Sequence, residues 1–347
     1  MDENIKTNEK DTAARPSYLT VSPSPHMKSA DSTRSVMIDV IIALMPAFIW
    51  GVVMSGLRAL VIALLSVGAC ILFEALTQKL LHRPVTVSDC SAAVTGLLLA
   101  MNVSVCVPLW MPIVGAFFAI VVVKQIFGGI GKNIVNPALA ARVFLFSWAS
   151  DMTRFTAVGS RVNSLSVTLA DSDITAGATP LVSLGAGELP KSSLSDMFLG
   201  NIGGCIGEVS ALLLILGGIY LLVRRVITWH IPAAYIGTVA VLTYIFPQMS
   251  NSASFMLYEL TAGGLMLGAI FMATDYATSP LSAKGRIIYG IGCGAITVLI
   301  RYFGGYPEGV SFSILIMNLL VWYLDILGMP RRFGVVKEKK SKGKTEA

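Results

Sequence analysis

Apolar residues along the chain fall into ten blocks separated by short polar breaks. The blocks lie near 37–54, 57–77, 89–106, 109–127, 136–150, 203–223, 231–247, 258–274, 286–303 and 310–327. A bilayer core of about 30 Å is crossed by about 20 apolar residues in a helix. The pattern therefore predicts an all-α polytopic membrane protein with about ten transmembrane helices. It divides the chain into an N-terminal segment (1–36), a first five-helix half (37–150), a long loop (151–202), a second five-helix half (203–327) and a tail (328–347). An odd number of spans in each half gives the halves opposite orientations, the arrangement of inverted repeats. The third block (SAAVTGLLLAMNVSVCVP) and the eighth (ELTAGGLMLGAIFMATDYATSP) occupy corresponding places, and both end at polar breaks. Their small residues would equally serve close helix packing.

Composition agrees. Hydrophobic residues make up 54% of the chain and charged residues 13%, against about 25% charged in an average soluble domain. The first 35 residues are polar, carry Pro16, Pro23 and Pro25, and lack the apolar core of a secretory signal. The first apolar block is thus expected to insert and stay. The net charge of +6 does not indicate nucleic acid, because seven of the 26 basic residues crowd between Arg331 and Lys344, behind the last apolar block. With the N-terminus in the cytoplasm, cytoplasmic segments hold 20 basic residues and outer segments five: Arg58, Arg154, Arg161, Lys191 and Arg301. That asymmetry predicts cytoplasmic N- and C-termini. The 151–202 loop, with three basic and five acidic residues, then lies outside. A loop of that length in a compact protein is usually functional.

Candidate chemistry is sparse. Cys70, Cys90, Cys106, Cys205 and Cys293 form no CxxC pair, and His26, His82 and His230 are scattered. No zinc or iron–sulfur ligand set is expected, and no glycine-rich nucleotide fingerprint follows a strand. In the long loop, Gly177 and Pro180 predict a turn that exposes Thr179. An exposed loop threonine is by itself most often only solvated.

The segment Asp173-Ile174-Thr175-Ala176-Gly177-Ala178-Thr179 resembles the flavinylation motif D-x-x-(S/T)-G-A-T. That motif belongs to the family that joins the D-type membrane component of the Rnf electron-transport complex with the B-type component of the sodium-pumping NADH:quinone oxidoreductase. Ala176 departs from the pattern, where Ser or Thr is common. Lys124–Leu145 (KQIFGGIGKNIVNPALAARVFL) resembles the family string F-G-G-x-G-x-N-x-x-N-P-A, and Gly263–Pro280 (GGLMLGAIFMATDYATSP) is similar to another. The opening VSPSPHMKSADSTRSVMIDVIIALMPA adds to the likeness, which runs from about Ser22 to Asp325. Overall length and the short N-terminal region favour the Rnf branch.

The resemblance implies FMN joined to Thr179 by a phosphoester, with Asp173, Gly177 and Ala178 as the recognised motif and a flavin transferase for maturation. It implies a non-covalent riboflavin near the polar breaks. It further implies a bacterial inner-membrane complex that passes electrons between ferredoxin and NAD and moves Na⁺ or H⁺. The partners would be other membrane and iron–sulfur subunits, including a second FMN carrier.

The residues themselves leave alternatives open. Asn133, Asn136, Thr274, Asp275, Thr278 and Ser279 interrupt apolar blocks. They could hold a flavin ring, or simply satisfy backbone groups at helix ends. Arg142, inside the fifth block, could balance a flavin or phosphate, or pair with an acid such as Glu208. Glu74, Glu208, Glu259 and Asp275 are candidates for an ion path, none preferred. Without the family strings, ten helices with broken segments would suit a cofactor-free transporter or channel.

Overall fold

The computed structural model describes residues 32–156, 162, 179–190, 192–208, 210–249, 251–304 and 308–328. Among these the protein is helical, with no strand. Each of the ten apolar blocks contains a helix. The first half holds α1 (Thr33–Ser55), α2 (Leu57–Leu80), α3 (Ser91–Met101), α4 (Trp110–Gln125) and α5 (Pro137–Leu145), followed by the single turn α6 (Ala149–Met152). Two short helices, α7 (Pro180–Gly185) and α8 (Leu194–Leu199), belong to the long loop. The second half holds α9 (Ala211–Val223), α10 (His230–Ile245), α11 (Ser252–Thr261), α12 (Leu265–Met272), α13 (Ala283–Phe303) and α14 (Val310–Gly328).

Length and apolarity suffice for crossing a membrane in α1, α2, α13 and α14, and in α11–α12 if that pair, bent by 64°, is one span. α3, α4, α9 and α10 are shorter apolar helices. The difference from ten uniform spans has a physical cause. In the third and sixth blocks part of the apolar stretch is buried but not helical: Asn102–Val107 after α3, and the residues leading into α9. Non-helical backbone at membrane depth is tolerated only where protein satisfies it. These two segments satisfy each other, with Ile206 N donating to Val103 O at 3.1 Å and Gly207 N to Met101 O at 2.8 Å. Arg58, buried at the start of α2, donates to Val105 O at 2.9 Å and Val107 O at 2.8 Å.

Packing repeats between the halves. α2 packs on α3 and α4 as α10 packs on α11 and α13; α4 packs on α5 as α13 packs on α14. Across the halves α1 meets α9 and α5 meets α14. Lys124 and Arg301, near the C-terminal ends of α4 and α13, are both buried on acids, Glu74 at 2.8 Å and Glu259 at 2.5 Å.

Polarity is inverted relative to a soluble protein. Arg58, Glu74, Lys124, Arg142, Glu208, Glu259 and Arg301 are buried, whereas Leu64, Leu72, Leu319 and Trp322 are more than half exposed. Only 33–39% of the residues in the four long apolar windows are buried. An apolar exterior around paired charges matches a hydrocarbon surround. Lys124, counted from sequence among cytoplasmic loop charges, and Arg58 and Arg301, counted among outer ones, are thus interior groups. Setting them aside leaves the basic asymmetry in place.

Candidate functional site

Among the described residues, two polar centres of the bundle hold residues singled out from the sequence. The first is a cleft enclosing about 100 Å³ where α3 begins, α4 and α9 end and α12 gives way to a turn. Its lining includes Asn133, Asn136, Thr274 and Asp275, together with Ser91, Lys124 and the apolar Val94, Leu98 and Phe271. The sequence-predicted residues of the two polar breaks, more than 130 residues apart along the chain, therefore come together. Thr278 stands behind them, its hydroxyl donating to Asp275 Oδ2 at 3.1 Å.

Local structure explains how they are held. Asn136 caps α5: its Oδ1 accepts from Ala138 N at 3.0 Å and Leu139 N at 3.3 Å, and Pro137 fills the first helical position. The Asn136 amide also donates to Met272 O at 3.2 Å, tying the two breaks together. Thr274 donates to Ile270 O at 2.6 Å. The capping reading is thus correct for Asn136, and the cleft is built from capped helix ends. Burial pushes the Asp275 carboxyl above its ordinary range, opposed by Thr278, the Ala277 backbone, Lys124 and Asn133.

Sequence reasoning missed Lys124. A lysine near the end of an apolar block normally marks a membrane edge. Here its ammonium is buried between Glu74 at 2.8 Å and Ser91 Oγ at 2.6 Å, and Gln125 donates to the same Glu74 at 2.9 Å. The π-helical turn over Phe118–Gln125 places both residues inward; such turns are frequent at functional sites.

The second centre surrounds Arg142, whose side chain is 2% exposed and does not line the cleft. Its Nη1 donates to Asn102 Oδ1 at 2.9 Å and Ser311 Oγ at 3.1 Å. Its Nη2 meets Glu208 Oε1 at 3.2 Å and also Glu308. The pairing with Glu208 is the one considered from sequence; Glu308, just before α14, gave no signal there. Cys205, Glu208 and Glu308 lie within 4.8 Å of one another, a grouping of metal-ligating types with Arg142 as its cation. The other acids named from sequence are structural partners: Glu74 of Lys124, and Glu259 of Arg301.

Thr179 stands at the start of α7. Its backbone is extended, with φ −68° and ψ 150°, and its side chain makes no capping bond. α7 is anchored through buried Leu181 and Leu184, in a small apolar cluster with Met197, Ile202, Phe255 and Ala262. Asp173, Gly177 and Ala178 lie outside the described residues.

A family model described as "NQR2, RnfD, RnfE family" matches residues 20–334. The chain belongs to this family. It is 47% identical over 326 residues to the D-type component of the Na(+)-translocating ferredoxin:NAD(+) oxidoreductase complex of Acetobacterium woodii, covering 93% of this chain and 97% of the relative. It is 40% identical over 331 residues to the D-type component of the proton-translocating ferredoxin:NAD(+) oxidoreductase complex of Clostridium ljungdahlii, covering 91% and 96%. The D-type component of the ion-translocating oxidoreductase complex of Stutzerimonas stutzeri is 37% identical over 330 residues, covering 87% and 92%. The string Lys124–Leu145 thus supplies Asn133 and Asn136 to the inner cleft and Arg142 to the second centre, and Gly263–Pro280 supplies Thr274 and Asp275 to the cleft. The relatives' names differ in the ion moved.

Proposed function

We propose that this chain is the D-type membrane component of an ion-translocating ferredoxin:NAD oxidoreductase complex, carrying FMN on Thr179 and riboflavin in the inner cleft. Near-full-length similarity to relatives bearing that name carries the complex assignment. The flavin reading adds local chemistry. The Thr179 hydroxyl is not engaged as a helix cap, so a transferase can join a phosphoryl group to its oxygen without breaking a capping bond. A flavin supplies stepwise electron acceptance that no side chain of this chain offers.

In the cleft, the amides of Asn133 and Asn136 and the Thr274 hydroxyl offer hydrogen bonds to the polar edge of a flat ring. Val94, Leu98 and Phe271 offer apolar faces. Lys124, paired with Glu74, also lines the site. Ile130 and Tyr276, both exposed, stand at the edge of the cleft.

On this reading other subunits of the complex hold the iron–sulfur centres, a second covalent FMN and the NAD site. The termini face the cytoplasm, and Thr179 faces the outer side of the bacterial inner membrane. Electrons would then cross the membrane to reach Thr179 and cross back, with this chain spanning part of the route. The ion moved is Na⁺ or H⁺.

Mass spectrometry of the Thr179 peptide, from protein co-expressed with a flavin transferase, tests the attachment. We expect an FMN-sized mass increase that disappears in Thr179→Ala. An unmodified Thr179 under those conditions would remove the redox reading and favour a cofactor-free transporter, which the broken α11–α12 pair also suits.

A further inference from the structure

We propose that Glu208 and Glu308 form a binding site for one exchangeable proton inside the bundle. Charge balance singles the pair out. Lys124 pairs with Glu74, Arg301 with Glu259, and Arg224 with Asp39, one acid to each base. The Arg142 centre breaks this rule. Among the described residues, the salt bridges of both Glu208 and Glu308 run to Arg142 alone.

Both carboxylates approach the same nitrogen, Nη2, while Arg142 Nε is buried without an acceptor. The acids are not spread over the two sides of the guanidinium fork in separate bidentate pairs. They converge, with Cys205, to within 4.8 Å. Two carboxylates at such spacing in a desolvated site do not both stay ionised. One proton on one carboxylate oxygen leaves the guanidinium and the other carboxylate as a neutral pair.

Among the described residues, no other cation is in salt-bridge contact with the pair. Asn102, Ser311 and Cys205 also contact Arg142, and its guanidinium lies 5.9 Å from the Phe146 ring centroid. Gly264, in the break between α11 and α12, lies against Glu208; a Cβ there would come within 2.7 Å of Oε1. Exposure is graded across the pair: the Glu208 side chain is 3% exposed and the Glu308 side chain 17%. A proton therefore has a rim acid to enter by and an interior acid to move to.

From the interior acid, polar contacts continue. Arg142 reaches Asn102, whose amide meets Met272 Sδ at 3.5 Å. Asn136 holds Met272 O from the other side and lines the inner cleft. Met272 thus stands between the Arg142 centre and the proposed flavin cleft, held by Asn102 at its sulfur and by Asn136 at its carbonyl. A role in ion movement rests on the ion-translocating reading above; the binding of the proton does not.

Infrared difference spectroscopy of the assembled complex in lipid, between alkaline and acidic buffers, tests the site directly. A protonated-carboxyl band should appear in the native complex. It should be lost in Glu208→Gln and equally in Glu308→Gln, because either change leaves one acid for one base. Asp39→Asn, altering a balanced pair, should keep it. If Glu208→Gln fails to assemble, Glu308→Gln at the rim carries the same test. A band that survives both substitutions would overturn the proposal. So would a band abolished by Na⁺ at constant pH, which would assign the acids to a metal cation. The readout needs no flavin, and repeating it in Thr179→Ala separates failure here from failure of the flavin reading.

Discussion

Arg142→Met should cost about 3–5 kcal/mol of stability, the usual loss when one partner of a buried ion pair is removed. The guanidinium is the only described cation in salt-bridge contact with Glu208 and Glu308, and it also ties Asn102 to Ser311. Methionine fills much of the volume but leaves buried carboxylate behind. Lysine would keep the charge yet lose the fork, since an ammonium is a compact donor that cannot hold the same spread of partners. Arg224→Met is the matched control. That side chain is 52% exposed and pairs with Asp39 at 3.1 Å, so its loss should cost no more than about 1 kcal/mol. Equilibrium unfolding in mixed denaturing and non-denaturing micelles compares the three proteins. An Arg142→Met midpoint indistinguishable from that of Arg224→Met would mean the centre is not charged as described.

The second large effect lies where α10 meets α13. Gly290 and Gly294, one turn apart on α13, let it approach α10 closely. A Cβ at Gly290 would come within 2.7 Å of Ala234 Cβ and 2.9 Å of Ile231 O. One at Gly294 would come within 2.7 Å of Thr238 Cβ and 3.0 Å of Tyr235 O. Backbone oxygens cannot rotate away, so the helices must separate. Overpacking of this kind costs about 1–3 kcal/mol at each site. Gly290→Val with Gly294→Val should therefore abolish accumulation of folded protein, measured as the monodisperse fraction on size-exclusion chromatography. Gly237, on α10, and Gly68, on α2, have nothing within 4 Å of an added Cβ. Alanine there should be neutral or stabilise by about 0.5–1 kcal/mol. If the double valine variant accumulates like the Gly237→Ala protein, the close packing of α10 on α13 is wrong.

What can be read from the sequence follows from what is local in it. Block length and apolarity put a helix in each of the ten blocks, but do not show that the eighth is divided into α11 and α12 with a bend of 64°. They do not reveal that Asn102–Val107 leaves the helix, because those residues are apolar enough to continue it; their partners, Ile206 and Gly207, lie about a hundred residues away. Lys124 misleads for the same reason. Its burial depends on Glu74, on another helix, and no linear pattern connects the two. Asn133, Asn136, Thr274 and Asp275 are legible as polar interruptions, but their convergence comes from family strings rather than periodicity. Glu308 follows Pro307 in a polar break of the sequence and reads as surface. The π-helical turns at Phe118–Gln125 and Gly268–Met272 are also silent, since one extra residue per turn barely disturbs an already apolar run.

The Arg301–Glu259 pair sets a condition on how the chain is made. Glu259 emerges from the ribosome 42 residues before the arginine that neutralises it. A helix bearing an unpaired acid is costly in hydrocarbon. During that interval α11 must wait beside the insertion machinery or enter lipid with its acid protonated, and it becomes settled only when α13 arrives. Truncation between the two helices should then yield a nascent chain that stays associated with the translocon, whereas extension through Arg301 should release it.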